Sequence, residues 1–130
     1  DKLSDGTIWH KISPLKSSDK LAAVFALPAR KSELGEENYI LTVTRGGMVK
    51  KSAVDDLPGP SAQSFALLRV NNGDVLGWVL LTDGKKDVLL ATASGMGIRF
   101  SEDNVRSMGL VAAGVNGIKL SVGDLVVGAD

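Results

Sequence analysis

The 130-residue chain is 44% apolar, enough for a core, and its 15 Lys and Arg balance 15 Asp and Glu. Zero net charge removes the simplest electrostatic argument for nucleic acid, so any such case rests on where the basic side chains sit. With no Cys and one His, disulfides, thiolate chemistry and a His/Cys zinc site are excluded.

No apolar run approaches the roughly 20 residues that cross a bilayer, so no membrane partner is expected. The opening Asp1-Lys2-Leu3-Ser4-Asp5 has no initiator Met and no signal-peptide pattern, and reads as the start of a piece of a longer cytoplasmic protein.

Along the chain the signal is β: short Val, Ile, Leu and Thr runs bounded by Gly, Asn, Asp and Pro. Residues 1–38 read as the end of a preceding blade plus a connector. Thr7–Ile12 and Leu21–Leu27 pair in this reading around a polar turn at Ser17-Ser18-Asp19, and Pro28–Asn38 is a solvated loop. Tyr39–Thr44, a Gly46-Gly47 turn and Met48–Ser52 form the first hairpin, because paired glycines supply the positive φ of a tight turn. Ala53–Gln63, with Pro58-Gly59-Pro60, is a loop. Phe65–Val70, a turn at Asn71-Asn72-Gly73-Asp74 and Val75–Val79 form a second hairpin.

The order then recurs. Val88–Ala93, Ser94-Gly95-Met96-Gly97 and Ile98–Ser101 match the first hairpin. Val115–Leu120, Ser121–Asp124 and Leu125–Gly128 match the second. Between them Ser101 is placed to cap one helical turn with acids behind it. Gly46 falls on Gly95, Lys50 on Arg99 and Ser52 on Ser101 at an offset of 49; Arg69 falls on Lys119 and Gly73-Asp74 on Gly123-Asp124 at 50. Repeats of this length with about four strands mark propeller-like blades. The expected units are 1–38, 39–87 and 88–130.

Several motifs that suggest chemistry read as structure. Gly73-Asp74 and Gly123-Asp124 are turn chemistry rather than metal or acid sites. Asp55, Asp56, Glu102 and Asp103 lack calcium-loop spacing. Ser94 lacks the first Gly of a nucleophile elbow, and no phosphate-binding loop is present. His10 reads as a strand residue and Tyr39, the single Tyr, as a structural one. No catalytic residue, metal or cofactor is expected. The basic candidates are Lys50 and Lys51, which alternation sends to opposite faces so that one meets solvent, and Arg99, at the position aligned with Lys50. Arg45, Arg69, Arg106 and Lys119 follow on the same logic. Such contacts reach phosphate and do not read sequence.

Tyr39–Ser52, Val88–Phe100, Arg106-Ser107-Met108-Gly109, Gly114-Val115-Asn116-Gly117-Ile118-Lys119-Leu120 and Gly123-Asp124 resemble, in order and spacing, the C-terminal domain of DNA gyrase A subunits. The corresponding domain of topoisomerase IV is a close relative. The resemblance covers roughly residues 7–130. It implies an all-β pinwheel or propeller of four-stranded blades, here about two and a half of a ring of roughly six. It also implies duplex DNA wrapped on a basic rim, and a nucleoid-associated parent that supercoils DNA with ATP together with the rest of gyrase A and the gyrase B subunit. The family's basic Gln-Arg-Arg-Gly-Gly-Lys-Gly element is absent here, and residue 110 is Leu where the family often has Arg. Zero net charge favours a protein-interaction module without DNA affinity as the alternative. The open blade edges predict self-association.

Overall fold

A computed structural model describes residues 5–24, 26–27, 33, 38–59 and 63–130. Seven strands are named among these residues: β1 (Tyr39–Thr44), β2 (Met48–Ala53), β3 (Leu76–Thr82), β4 (Asp87–Thr92), β5 (Gly97–Ser101), β6 (Val115–Asn116) and β7 (Val126–Ala129). They form two antiparallel sheets, one ordered β3-β1-β2-β6 and the other β5-β4-β7. The fold is all-β, with short 3-10 turns at Trp9–Lys11, Val54–Asp56 and Glu102–Asn104.

The first sheet is not built from one sequence repeat. Its fourth strand, β6, comes from the second repeat and pairs Met48 with Asn116 and Val49 with Val115. Two glycines permit this approach. A Cβ on Gly117 would lie 2.4 Å from Val49 Cγ2, and one on Gly114, which has φ +94°, would lie 2.5 Å from Val49 O. The Gly117 amide donates to Gly47 O at 2.8 Å. The Gly-Val-x-Gly motif is therefore a docking element for the preceding hairpin.

The two sheets pack through Leu41, Val43 and Val49 on one side and Val88, Leu90 and Val126 on the other, with Val105 completing the cluster. Burying each such side chain stabilises by about 1.5–3 kcal/mol. The first sheet is buried on both faces along β1 and β2, whereas β4 alternates exposed and buried.

The pairing corrects the alignment of the two hairpins. Gly47 and Gly95 both have φ +84°, and their amides donate to Thr44 O and Thr92 O at 3.0 Å. The Met48 and Met96 amides donate to the Thr44 and Thr92 hydroxyls. Leu41 pairs with Lys51 as Leu89 pairs with Arg99. The offset here is thus 48, not 49: Gly47 matches Gly95, Lys51 matches Arg99, and Lys50 matches Ile98. Counting from Gly46 misled the sequence alignment, because Gly46 is glycine for another reason. A Cβ there would lie 2.5 Å from Asp74 Oδ2.

Three strand expectations also fail, and neither expected second hairpin forms, since β6 pairs with β2 and β7 with β4. Thr7–Ile12 is not a strand but contains the 3-10 turn Trp9–Lys11, with His10 edge-on to Trp9 at 5.7 Å. Neither it nor the described part of Leu21–Leu27 joins a sheet. Phe65–Val70 has no strand either, although its counterpart Val115–Asn116 does. A strand needs a partner edge: Val115–Asn116 has β2, and no hairpin lies beside Phe65–Ala66 among the described residues. Phe25 and most of the Pro28–Asn38 connector lie outside those residues.

Candidate nucleic-acid interface

Lys50 and Lys51 are not on a rim. They are only 1% and 7% exposed. Alternation does send them to opposite faces, but both faces of the first sheet are covered. Lys50 Nζ donates to Leu67 O at 2.5 Å. Burial lowers its pKa below the usual lysine value, and the negative charge of Asp56 partly offsets that. Lys51 Nζ donates to Glu102 O at 2.8 Å and lies 5.4 Å from the Tyr39 ring centroid. These ammonium groups hold the fold together: one ties β2 to the Phe65–Val70 segment and the other ties the two sheets. The expectation that one of them faces solvent is overturned.

The other five candidates are exposed. Arg99 lies on the open face of β5 with its side chain 73% exposed, and makes a two-nitrogen contact to Asp87 Oδ2 at 2.9 and 2.5 Å. Arg45 sits in the β1–β2 turn, with its backbone fixed by Val75 O and by the Val126 amide. Arg106 follows the 3-10 turn capped by Ser101, whose hydroxyl accepts from the Asp103 amide at 3.2 Å. Arg69 and Lys119 occupy one repeat position, four residues before Gly73 and Gly123, and both are exposed. The repeat therefore preserves a solvent-facing cation just before each Gly-Asp turn, not on the hairpin strand.

The Gly-Asp turns are clamps. Asp74 Oδ1 accepts from the Gly46 and Val75 amides at 2.7 Å. Asp124 Oδ1 accepts from the Ser94 and Leu125 amides at 3.0 and 2.9 Å, and its Oδ2 from the Ser94 hydroxyl at 2.5 Å. The Ser94 hydroxyl leads the causes that lower the Asp124 pKa to about 2, with Thr92 and the two amides adding to it against a smaller desolvation effect. Each carboxylate fixes the tip of its own repeat's hairpin. Sequence reasoning assigned these acids to turns but had no signal for the partner 28 or 30 residues away.

Glu102, read as one of the acids in the turn capped by Ser101, is 2% exposed. Its Oε1 accepts from the Thr82 hydroxyl across the sheet junction, and its Oε2 has no hydrogen-bond partner. Among the described residues no group of three or more His, Cys, Asp or Glu is placed to hold a metal, and no helix is long and apolar enough to cross a membrane.

A family model described as the DNA gyrase C-terminal domain, beta-propeller, matches twice, over residues 38–82 and 86–130. The DNA gyrase A protein of Klebsiella oxytoca is 40% identical over 114 residues, covering 88% of this chain and 13% of that protein. Its equivalent from Staphylococcus epidermidis is 35% identical over 116 residues, covering 89% and 13%. The chain thus spans about an eighth of the length of these relatives. The C-terminal domain of a DNA topoisomerase IV superposes with a TM-score of 0.82 at 29% identity, covering 95% of this chain and 38% of that one. The fold is also that of a gyrase A C-terminal domain, at a TM-score of 0.73 and 19% identity over 98% of this chain and 41% of that one. With both repeats matched and the β architecture shared, the chain belongs to the DNA gyrase C-terminal domain family.

Proposed function

We propose that this chain is a non-sequence-specific duplex DNA-binding and DNA-bending module of gyrase A. Its cytoplasmic parent would be part of an ATP-dependent type II topoisomerase and would work together with gyrase B. The observation that carries the reading is the exposed cation that both repeats place before their Gly-Asp turn, Arg69 and Lys119, within a chain of this family. Arg45 and Arg106 extend the exposed set. Arg99 joins it only by giving up Asp87. Lysine and arginine on such a surface replace the counterions condensed on phosphates. A curved row of contacts would offset the elastic cost of a sharp bend, about 1–6 kcal/mol over 20–30 base pairs.

Titration of the chain with duplex DNA at two salt concentrations tests this. Binding should fall steeply with salt and be indifferent to sequence. Arg69→Ala and Lys119→Ala should each flatten the log–log salt slope by about one, whereas Lys50→Met should leave it unchanged. Zero net charge favours the rival reading, a module that binds protein alone. No complex with DNA even at low salt would overturn the DNA-binding reading.

A further inference from the structure

The sequence holds two Asn-Gly pairs, Asn72-Gly73 and Asn116-Gly117. In such a pair the asparagine side chain is open to attack by its own backbone, because glycine has no Cβ to keep the following amide nitrogen away from the side-chain carbonyl carbon. The structure treats the two pairs in opposite ways. The Gly117 amide donates to Gly47 O at 2.8 Å, and Asn116 is held in β6 against Met48. A Cβ on Gly117 would lie 2.4 Å from Val49 Cγ2, so the backbone there has no room to turn. Asn72 and Gly73 instead form the middle of a turn closed by the Asp74 amide, which donates to Asn71 O at 3.0 Å. Gly73 has φ +81°, as the third residue of a type II turn does. Its amide has no hydrogen-bond partner among the described residues, and both residues are exposed.

The tip of this turn stays open with a repeat on either side. Asn72-Gly73 has the following repeat in place, and nothing outside the turn lies within 4 Å of a Cβ on Gly73. Its counterpart Val122-Gly123 has the preceding repeat in place. There Val122 is fully exposed, and a Cβ on Gly123 again meets nothing within 4 Å.

We propose that Asn72 is a site of spontaneous deamidation. The Gly73 amide nitrogen gives its proton to water or hydroxide and attacks Asn72 Cγ. The new N–C bond closes a succinimide ring, and the side-chain nitrogen takes up a proton and leaves as ammonia. Water then opens the ring at either carbonyl, giving aspartate or isoaspartate, so one ammonia is exchanged for one water. The change falls in a cleft that Asn72 lines with Arg45, Asp74, Asn116 and Asp124. Arg45 already faces two carboxylates there, and a third weakens its pull on phosphate. This consequence, unlike the modification itself, rests on the DNA-binding reading.

Peptide mass mapping of the folded chain, held at mildly alkaline pH, should show a gain of one dalton at Asn72, with isoaspartate as well as aspartate in the product, while Asn116 stays unchanged. In the urea-unfolded chain both sites should convert at similar rates, and Asn72→Gln should abolish the change seen in the folded one. Equal conversion of Asn72 and Asn116 in the folded chain overturns the proposal. So does an Asn72 that stays intact in the folded chain over the time in which the unfolded chain converts both. On duplex DNA, Asn72→Asp should bind more weakly than the parent at low salt, with the gap closing as salt rises. A variant that binds as the parent does overturns the effect on binding. A parent that binds no DNA overturns the DNA-binding reading and leaves the mass result to decide the modification by itself.

Discussion

The two hairpins share a turn, a register and a Gly-Asp clamp, yet equivalent residues live in different surroundings. Leu41 is 1% exposed and its counterpart Leu89 is 52% exposed. Lys51 is buried under the second sheet, and its counterpart Arg99 points into solvent. Local sequence does not cause this, since both residues lie on well-formed strands. The first sheet has a neighbour over this face and a fourth strand on its edge; the second has neither among the described residues. Burial in this architecture is a property of position in the stack.

The sharpest way to break that comparison is to truncate the paired leucines. Leu41→Ala should cost about 2–5 kcal/mol, the range for a buried leucine in a packed core. Leu89→Ala should cost less than about 1 kcal/mol. Urea unfolding reads both, and equal losses would mean that the open face is covered in solution. The basic pair should differ in the same direction by less. Lys51→Ala loses a buried, charge-assisted bond to Glu102 O and should cost about 1.5–3 kcal/mol. Arg99→Ala loses an exposed ion pair, worth about 0–1 kcal/mol.

The clamps give a smaller, pH-dependent contrast. The Asp124 pKa is about 2 in the fold, below its ordinary value of 3.8, so its stabilising effect is present above pH 3.8 and lost as pH falls through about 2. Asp124→Asn should flatten the acid limb of stability across that window. Ser94→Gly gives the second turn the residue at the matching position of the first, Gly46, and should raise the Asp124 pKa; carboxyl chemical shifts would follow it.

The smallest effect concerns Lys50. Its pKa is lowered by burial, so the unfolded chain holds the proton more tightly. Between the folded value and 10.5 the contribution of this group to stability rises with pH. Lys50→Met should remove that alkaline rise; a curve superimposable on the parent's would show that Lys50 keeps its proton without penalty.

The first hairpin of each copy, the turns and the recurrence of the unit were legible because they follow from local rules: β-rich runs, Gly at positive φ, Ser101 as a cap. The second hairpins were not, because their strands pair with distant edges, β6 with β2 and β7 with β4. What was not legible depends on partners distant in sequence. Alternation predicts that one of Lys50 and Lys51 faces solvent, but the chain folds back over both faces of β2 and buries both. Phe65–Val70 has strand composition but no edge to pair with. Gly46 and Gly47 read together as the turn glycines, whereas only Gly47 has positive φ and Gly46 makes room for Asp74. Among the proposed contacts, Arg69 and Lys119 drew less weight from sequence than Lys50, because the offset of 49 paired Lys50 with Arg99 in place of Ile98.

β6 also has a consequence for how the chain is made. Met48 and Val49 emerge from the ribosome well before Asn116 and Val115, their partners in the finished sheet. The first unit therefore cannot complete its hydrogen bonding while it alone has been synthesised; it must wait, edge exposed, until most of the second has followed. Pairings this distant in sequence form slowly and leave open edges in the meantime. Vectorial synthesis of such an array leaves its newest unit unfinished at every stage, and each added unit closes the one before it.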